Sequence, residues 1–225
     1  KRDISTVGDA VPRREPRSKR GNPKSYVVFG KRYYTLGDAA GFVEKGIASW
    51  YGKKFHGRST SSGEKYDMYA MTAAHKRLPL PTYVRVTNLD NDRSIVVRVN
   101  DRGPFHEGRV IDLSYTAALK LDIVRAGTAP VEVRALVPGE PAPEPRGGGQ
   151  IFVQAGAFAH PSNAKRLRDE LTAHFRRPIT VIPTHVNGRD LHRVRIGPID
   201  TVAVADQLLG DLGKLGVDGA RLVVE

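Results

Sequence analysis

The sequence predicts two small folded domains, a mainly β barrel followed by an α+β domain with a four-stranded sheet. Before residue 138 many short strands alternate with few helices, a pattern that favours a small barrel over a βαβ sheet. Residues 138–149 are rich in proline and glycine and lack apolar periodicity, so they are expected to form a linker. Residues 150–225 then follow the order strand, helix, strand, strand, helix, strand.

The N-terminal 43 residues are expected to form a polar leader and a small hairpin. Residues 1–24 contain prolines and no periodic apolar pattern, which predicts a flexible leader, whereas residues 26–34 predict a β-hairpin that turns near Gly30-Lys31. Residues 1–32 hold ten Lys and Arg against three Asp and Glu. This surplus of positive residues accounts for more than half of the net charge of +12. Because neither later segment is strongly basic, the charge argues against a nucleic-acid partner and suits loose attraction to an anionic polymer.

Residues 44–137 carry the elements expected of the first domain. A strand over 46–52 contains the only Trp, and a long polar loop follows it. The elements expected after that loop are a hairpin of strands 83–87 and 94–99 around residues 88–92, a helix over 115–121 with Ser114 as N-cap, and a closing strand over 131–137.

A strand end marks the candidate active site. Alternating apolar residues 95–99 run into Asn100-Asp101-Arg102, and Gly103-Pro104 must break the strand, so Asp101 is expected where the chain turns away from the sheet. One interpretation is that Asp101 caps the turn or pairs with Arg102. The other is that Asp101 is a catalytic acid that acts on a glycan.

The C-terminal domain, residues 150–225, predicts a four-stranded antiparallel sheet with both helices on one face. The four expected strands are 151–158, 179–186, 191–196 and 221–224, and Asn187-Gly188 joins the second to the third. The first helix begins at residue 161 and carries apolar residues 164, 167, 171 and 175 on one side. The second helix is capped by Asp200 and carries apolar residues 205, 208, 209 and 212.

The open face of that sheet is the candidate binding surface. Strand alternation places Leu191, Arg193 and Arg195 on one side and the apolar Val194 and Ile196 on the helix side. Gln154 is expected to lie on the same side of the sheet as the arginines. A bulge at Gly156 would interrupt the alternation on which this expectation depends. Planar Arg and Gln groups suit the hydroxyl, amide and carboxylate groups of a glycan, although a merely solvated face is the alternative. RNA-recognition domains share the order of elements, but the arginine strand lacks the aromatic residues that stack on bases.

Several segments together closely resemble the rare lipoprotein A family. They cover nearly all of residues 44–137 and comprise 46–52, Ser62-Gly63-Glu64, 71–75, 99–105 and 111–114. Residues 152–158 and 193–198 likewise resemble the sporulation-related repeat (SPOR) domain. The resemblance implies a six-stranded double-psi β-barrel followed by a SPOR domain. It also implies an endo-acting lytic transglycosylase that cleaves the MurNAc-β-1,4-GlcNAc bond of septal peptidoglycan strands stripped of peptides. On this resemblance the catalytic residue falls on Asp101, with support from His75 and Glu64.

The chemistry of such an enzyme needs only one carboxyl group. That group protonates the departing oxygen and then removes the proton from the C6 hydroxyl of muramic acid, which closes a 1,6-anhydro ring. Two alternatives remain open: an expansin-like barrel that binds or loosens glycan without cutting it, and a hydrolase that pairs Asp101 with Glu64 or Asp67. Without the resemblance, His75 would be a packed residue and Glu64 a solvated one.

Other residues of the barrel are candidates for the same groove. Trp50 and Tyr51 can stack on a sugar ring, with one of them expected in the core. Asp67, Asp112 and Ser114 are further candidates, although Asp112 and Ser114 can simply cap the helix.

The composition excludes several other classes of protein. Cysteine is absent, which rules out disulfides, zinc–thiolate sites and a cysteine nucleophile. The spacing of His56, His75, His106 and Asp101 matches no metal motif, and no cofactor-binding motif or serine nucleophile elbow is present, so no metal or cofactor is expected.

The sequence also bears on the compartment. No run of 18 apolar residues and no apolar signal core is present, so the protein is either cytosolic or trimmed of a targeting segment. The resembled family is named for a lipidated N-terminal Cys, which this chain lacks. If that Cys was removed with the signal peptide, the protein is a periplasmic, outer-membrane-anchored lipoprotein enriched at the septum.

Overall fold

The computed structural model describes residues 4, 6–139, 149–186 and 188–225 and divides the chain into two compact units, Lys1–Gly148 and Gly149–Glu225. Most of the expected linker, residues 140–148, lies outside the described residues, as does Asn187 of the expected hairpin turn. Within the described part of the chain, no helix is long and apolar enough to cross a membrane.

The first unit contains a closed six-stranded barrel. Its strands are β3 (Val43–Trp50), β4 (Thr72–His75), β5 (Thr82–Asn88), β6 (Ser94–Asp101), β7 (Arg109–Leu113) and β8 (Thr128–Ala135). They close in the order β3-β7-β4-β6-β5-β8. The pairs β3/β7 and β4/β6 are parallel and the remaining pairs are antiparallel. The predicted barrel is thus confirmed, although β8 begins and ends earlier than expected.

The alternation of apolar and polar residues along the strands fills the barrel. Val84 and Val86 of β5 and Val97 and Val99 of β6 are fully buried. Removing each such side chain from water stabilises the fold by about 1.5–3 kcal/mol. The predicted helix α1 (Tyr115–Lys120) is confirmed and packs Ala117 and Ala118 into the core, while the Ser114 side chain caps it by accepting the Ala117 N–H at 3.3 Å.

Residues 10–22 of the leader are bound to the barrel, so the prediction of a flexible leader is wrong for this part. The backbone N–H of Ala10 donates to the Val96 carbonyl at 3.0 Å, and that of Ser18 donates to the Leu80 carbonyl at 2.9 Å. The Asn22 side chain bonds both the N–H and the carbonyl of Leu80, each at 2.8 Å. These long-range pairs satisfy polar groups at the barrel surface and leave no periodic pattern in the sequence.

The predicted small hairpin is confirmed as β1 (Ser25–Val28) and β2 (Lys31–Tyr34). Its turn lies at Phe29-Gly30, one residue before the expected position, and both residues have positive φ. Consecutive positive φ values suit the two-residue turns that match strand twist. The Tyr26 hydroxyl donates to the Lys76 carbonyl at 2.7 Å, which fixes the hairpin to the barrel.

The second unit is the predicted α+β sheet. It consists of β9 (Ile151–Phe158), α2 (Pro161–His174), β10 (Ile179–Val186), β11 (Arg189–Ile199), α3 (Val202–Lys214) and β12 (Arg221–Val224). The strand order is β10-β11-β9-β12, and every pair is antiparallel. Val153, Val194 and Ile196 are fully buried. The prediction of Asp200 as the cap of α3 is wrong, because Thr201 accepts the Val204 N–H instead.

Candidate active site

A pocket of about 240 Å³ opens at the end of β6. Strands β4, β6 and β7 and the segments that follow β3 and β6 supply its walls. Tyr51, Tyr66, Ala74, Asp101, Phe105 and Asp112 are among the residues that line it. With Phe55, which also lines it, two carboxyl groups and four aromatic rings share one concave space. Apolar walls with a few polar groups are typical of ligand sites.

Asp101 is held by three donors that all act on one oxygen. Its Oδ1 accepts the Ser61 backbone N–H at 2.8 Å, the Ser61 hydroxyl at 2.7 Å and the Arg102 backbone N–H at 2.8 Å. Within the described residues this leaves Oδ2 for a ligand in the pocket. Gly103, with φ of +138°, then turns the chain away from the barrel in a conformation that side chains rarely adopt.

The guanidinium of Arg102 does not pair with Asp101. It donates to the carbonyls of Gly21 at 2.8 Å, His75 at 3.1 Å and Leu78 at 2.6 Å. Burial lowers the pKa of Arg102, while the nearby Tyr26 and Asp101 oppose that shift. Arg102 thus ties the leader and the segment after β4 to the turn that carries Asp101, and the ion-pair interpretation of the Asp-Arg sequence is wrong.

The aromatic wall is built on Tyr51. Its ring stacks on that of Tyr66 with centroids 4.1 Å apart, and the Tyr66 hydroxyl donates to the Tyr51 carbonyl at 2.7 Å. Burial raises the pKa of Tyr51 well above its ordinary value, with further contributions from Tyr66 and Asp101, so its hydroxyl stays protonated. Trp50 does not line the pocket but packs against Tyr115 and the core.

Glu64 lies beside the pocket and not in its lining. Nη1 of Arg98 donates to both carboxylate oxygens of Glu64, at 2.8 and 2.9 Å, and the Asn100 amide donates to one of them at 2.8 Å. The Glu64 carbonyl also accepts the Thr60 N–H at 2.8 Å. Glu64 therefore holds the loop that presents Ser61 to Asp101.

His75 is 1% exposed and its side chain does not line the pocket. Its Nδ1 accepts the backbone N–H groups of Arg77 and Leu78 at 3.1 Å, so Nε2 carries the proton that faces Glu44 at 3.0 Å. Burial lowers the pKa of His75 and outweighs the opposing effect of Glu44, which keeps the ring neutral. The link from His75 to the site runs through its carbonyl, which binds Arg102.

Other candidates lie in different surroundings. The Asp67 carboxylate is 3.7 Å from His56 and does not line the pocket, and Ser114 caps α1 while donating to the Ala70 carbonyl at 2.6 Å. Ser61, which binds Asp101 directly, was missed by the sequence analysis because it stands in a polar loop without any pattern. Among the described residues, no group of three His, Asp or Glu side chains is arranged to hold a metal ion.

The open face of the second unit is more closed than expected, because the side chains of Gln154 and Arg195 are both buried. Gln154 stands opposite Arg195 across β9 and β11, with a register irregularity after Val194 near the expected bulge. Arg195 is only 4% exposed and lies 2.5 Å from Glu225, so the prediction of an open Arg195 is wrong. The cause is its packing over the Phe152 ring, 6.0 Å from the centroid. Leu191 and Arg193 are half-buried.

Two buried polar atoms of this face have no hydrogen-bond partner among the described residues. They are Oε1 of Gln154 and Nε of Arg195. Such atoms are rare in native folds, because a buried group without a partner costs about 1–3 kcal/mol. One is an acceptor and the other a donor, and both atoms are closed to solvent in this structure.

Comparison with known proteins assigns both units. The family model described as "Lytic transglycolase" matches residues 43–133, and the SPOR domain model matches residues 147–222. The endolytic peptidoglycan transglycosylase RlpA of Vibrio cholerae is 44% identical over 221 residues, which cover 96% of this chain and 82% of the relative. Its namesake from Pseudomonas aeruginosa strain UCBPP-PA14 is 40% identical over 258 residues, covering 88% and 74%.

A solved structure is also similar to the second unit. The crystal structure of the RlpA SPOR domain from Pseudomonas aeruginosa is 29% identical, covers 32% of this chain and 96% of that chain, and has a TM-score of 0.31. The family models confirm the expected double-psi barrel and SPOR domain. With relatives this similar along most of its length, the chain belongs to the RlpA family.

Proposed function

We propose that this protein is an endolytic peptidoglycan transglycosylase that cleaves the MurNAc-β-1,4-GlcNAc bond of peptide-free glycan strands and leaves 1,6-anhydro-MurNAc ends. The observation that carries this proposal is the Asp101 carboxylate, which is anchored through Oδ1, has no hydrogen bond to Oδ2 among the described residues and lines an aromatic-walled pocket. The name shared by the relatives, endolytic peptidoglycan transglycosylase, agrees with it.

Asp101 is the group that activates the nucleophile. Closing the anhydro ring requires the C6 hydroxyl of muramic acid to lose its proton as its oxygen bonds to C1. Oδ2 is the acceptor for that proton, because Oδ1 is occupied by Ser61 and the Arg102 N–H. The Tyr51 and Tyr66 rings form an apolar wall against which a pyranose ring packs.

Glu64 and His75 support this reaction as positioning residues. Glu64 fixes the loop that carries Ser61, and His75 fixes Arg102 through its carbonyl. Each therefore acts on the orientation of Asp101 from outside the pocket. An error of about 1 Å in such an orientation is enough to slow an enzyme by about 10²-fold.

The second unit holds the glycan strand. Gln154, Leu191, Arg193 and Arg195 form its binding face, where the half-buried Arg193 supplies planar donors that suit sugar hydroxyl or amide groups. Binding of peptide-free strands by this face targets the enzyme to the division septum. The corresponding location of the protein is the periplasm. A lipidated Cys, which this sequence does not contain, anchors it to the outer membrane in this proposal.

Mass spectrometry of the soluble products tests the proposal. The full chain is incubated with purified glycan strands from which amidases have removed the peptides. Products with anhydro ends, one water lighter than reducing ends, are expected. Reducing ends would identify a hydrolase, and the absence of products with intact strand binding would identify an expansin-like binding protein.

A further inference from the structure

A second carboxyl group faces the same pocket and has no role in the reaction described above. Asp112 belongs to β7, lines the pocket with Asp101 and is half-buried. The Ser49 hydroxyl of the neighbouring β3 donates a short hydrogen bond to its Oδ1. Because Ser49 occupies Oδ1, Oδ2 is the oxygen directed toward the space beside Gly103.

The strand register sets the separation of the two carboxyl groups. Ala74 of β4 is paired with Asp101 on one side and with Asp112 on the other. Residues directly opposite one another in adjacent strands project from the same face, so both carboxyl groups flank the Ala74 methyl. Two strand spacings place their Cα atoms about 9–10 Å apart. A small side chain between two carboxyl groups leaves room for a substrate that contacts both.

Gly103 keeps that space open. A Cβ atom at this position would lie 3.9 Å from the Ala74 Cβ and 3.9 Å from Asp112 Oδ2. It would thus fill the gap between the methyl and the carboxyl group. Because residue 103 is a glycine, Asp112 Oδ2 stays accessible from the pocket.

The surroundings of Asp112 make its carboxyl group a weaker acid than an ordinary aspartate. Burial raises the pKa of Asp112 above its ordinary value, which the Ser49 hydrogen bond and three nearby cationic or titratable groups only partly offset. The polar and titratable groups that influence it or share its pocket are Ser49, Tyr51, Arg58, Ser59, Tyr66, Lys76, Asp101, Arg102, His106 and Arg109. The hydroxyls of Tyr51 and Tyr66 remain neutral, since their pKa values are raised by burial.

We propose that Asp112 is a second catalytic residue, which protonates the leaving oxygen while Asp101 removes the proton from the C6 hydroxyl. This inference rests on the proposed function and divides between two groups the steps that the sequence analysis gave to Asp101 alone. The Asp112 proton moves to the glycosidic oxygen as the C1–O4 bond breaks. The C6 oxygen bonds to C1 and its proton moves to Asp101. Proton exchange with solvent then restores both carboxyl groups, so no further reactant is consumed.

Comparison of two substrates tests the assignment. The substrates are a peptide-free glycan and a muramyl oligosaccharide with a dinitrophenyl leaving group, which departs without protonation. Asp112→Asn should lower the rate on the glycan by about 10²–10⁴-fold and leave the rate on the dinitrophenyl substrate within a few-fold of wild type. Asp101→Asn should lose activity on both. Equal losses on both substrates for Asp112→Asn, or full activity on the glycan, would overturn the assignment.

A second variant covers the case in which Asp112→Asn does not fold. Ser49→Ala keeps the carboxyl group but removes a hydrogen bond that favours its ionised form, so the pKa of Asp112 should rise. Activity that needs the protonated acid is lost as pH rises through that pKa. The alkaline limb of the rate profile should therefore move to higher pH in Ser49→Ala, and an unmoved limb would contradict the role of Asp112. The proposed function is tested separately, by the products of the wild-type protein. Reducing ends in those products would contradict the proposed function, whatever the Asp112 variants do.

Discussion

The two units build their sites in different ways. The barrel pocket is assembled from distant segments: Ser61 binds Asp101 across 40 positions, Ser49 binds Asp112 across 63, and Arg102 reaches back 81 positions to Gly21. The face of the second unit arises from alternation along two neighbouring strands, as in the pairing of Gln154 with Arg195. The barrel site should therefore respond to changes far from it, whereas the sheet face should respond mainly to its own residues.

The largest expected effect separates cutting from binding. Asp101→Asn should reduce release of soluble glycan by about 10²–10⁴-fold, because the group that accepts the C6 proton is lost. Co-sedimentation with intact glycan strands should stay at the wild-type level, since the second unit is unchanged. Asp122→Asn, the same substitution at an exposed position, is the matched control and should keep full activity. Retained activity in Asp101→Asn would remove that residue from the mechanism.

The next effect tests the dependence of the barrel on its leader. Asn22→Ala removes two bonds to Leu80, one to Ser18 and one to Arg102, and it should lower the free energy of unfolding of the first unit by about 1–3 kcal/mol. Calorimetry of the full chain measures this. Lys19→Ala, at an exposed leader position, should leave the transition unchanged. An unchanged melting temperature in Asn22→Ala would show that the leader does not contribute to the barrel.

A smaller effect is expected on the sheet face. Arg193→Ala should weaken binding of glycan strands about tenfold, since a charge-assisted hydrogen bond is lost. Arg166→Ala removes the same charge from an exposed position on α2 and should bind normally. Both variants are measured in the Asp101→Asn background, which does not consume the ligand. Equal weakening in both would mean that binding depends on net charge and not on this face.

The smallest effect is a pH dependence confined to the barrel. The hydrogen bond from Arg98 outweighs the effect of burial and lowers the pKa of Glu15 to about 2. Because the unfolded chain takes up this proton at higher pH, the stabilisation is present above about pH 4.5 and is lost as pH falls toward 2. Glu15→Gln should destabilise the first unit by about 1 kcal/mol at neutral pH and flatten this dependence. Acid denaturation measures how the free energy of unfolding changes with pH. If this dependence were as steep in Glu15→Gln as in the wild type, the role given to Glu15 would be contradicted.

The same difference between the units explains what the sequence could predict. Alternation and turn residues predicted the hairpin of β5 and β6 and all four strands of the second unit, because those features depend on residues that are close in sequence. The role of Ser61 and the docking of Asn22 depend on contacts between remote segments and leave no periodic signal. Arg195 was placed on its side of the strand correctly, but its burial depends on Phe152 and Glu225, which alternation does not describe.

The central claim is that the C6 hydroxyl, and not water, attacks C1. Digestion of glycan strands in water enriched in heavy oxygen measures this directly, by the mass of the newly formed ends. The account predicts anhydro ends without heavy oxygen. One heavy oxygen at each new reducing end would contradict it, and would instead describe a hydrolase in which Asp101 and Asp112 flank an attacking water molecule.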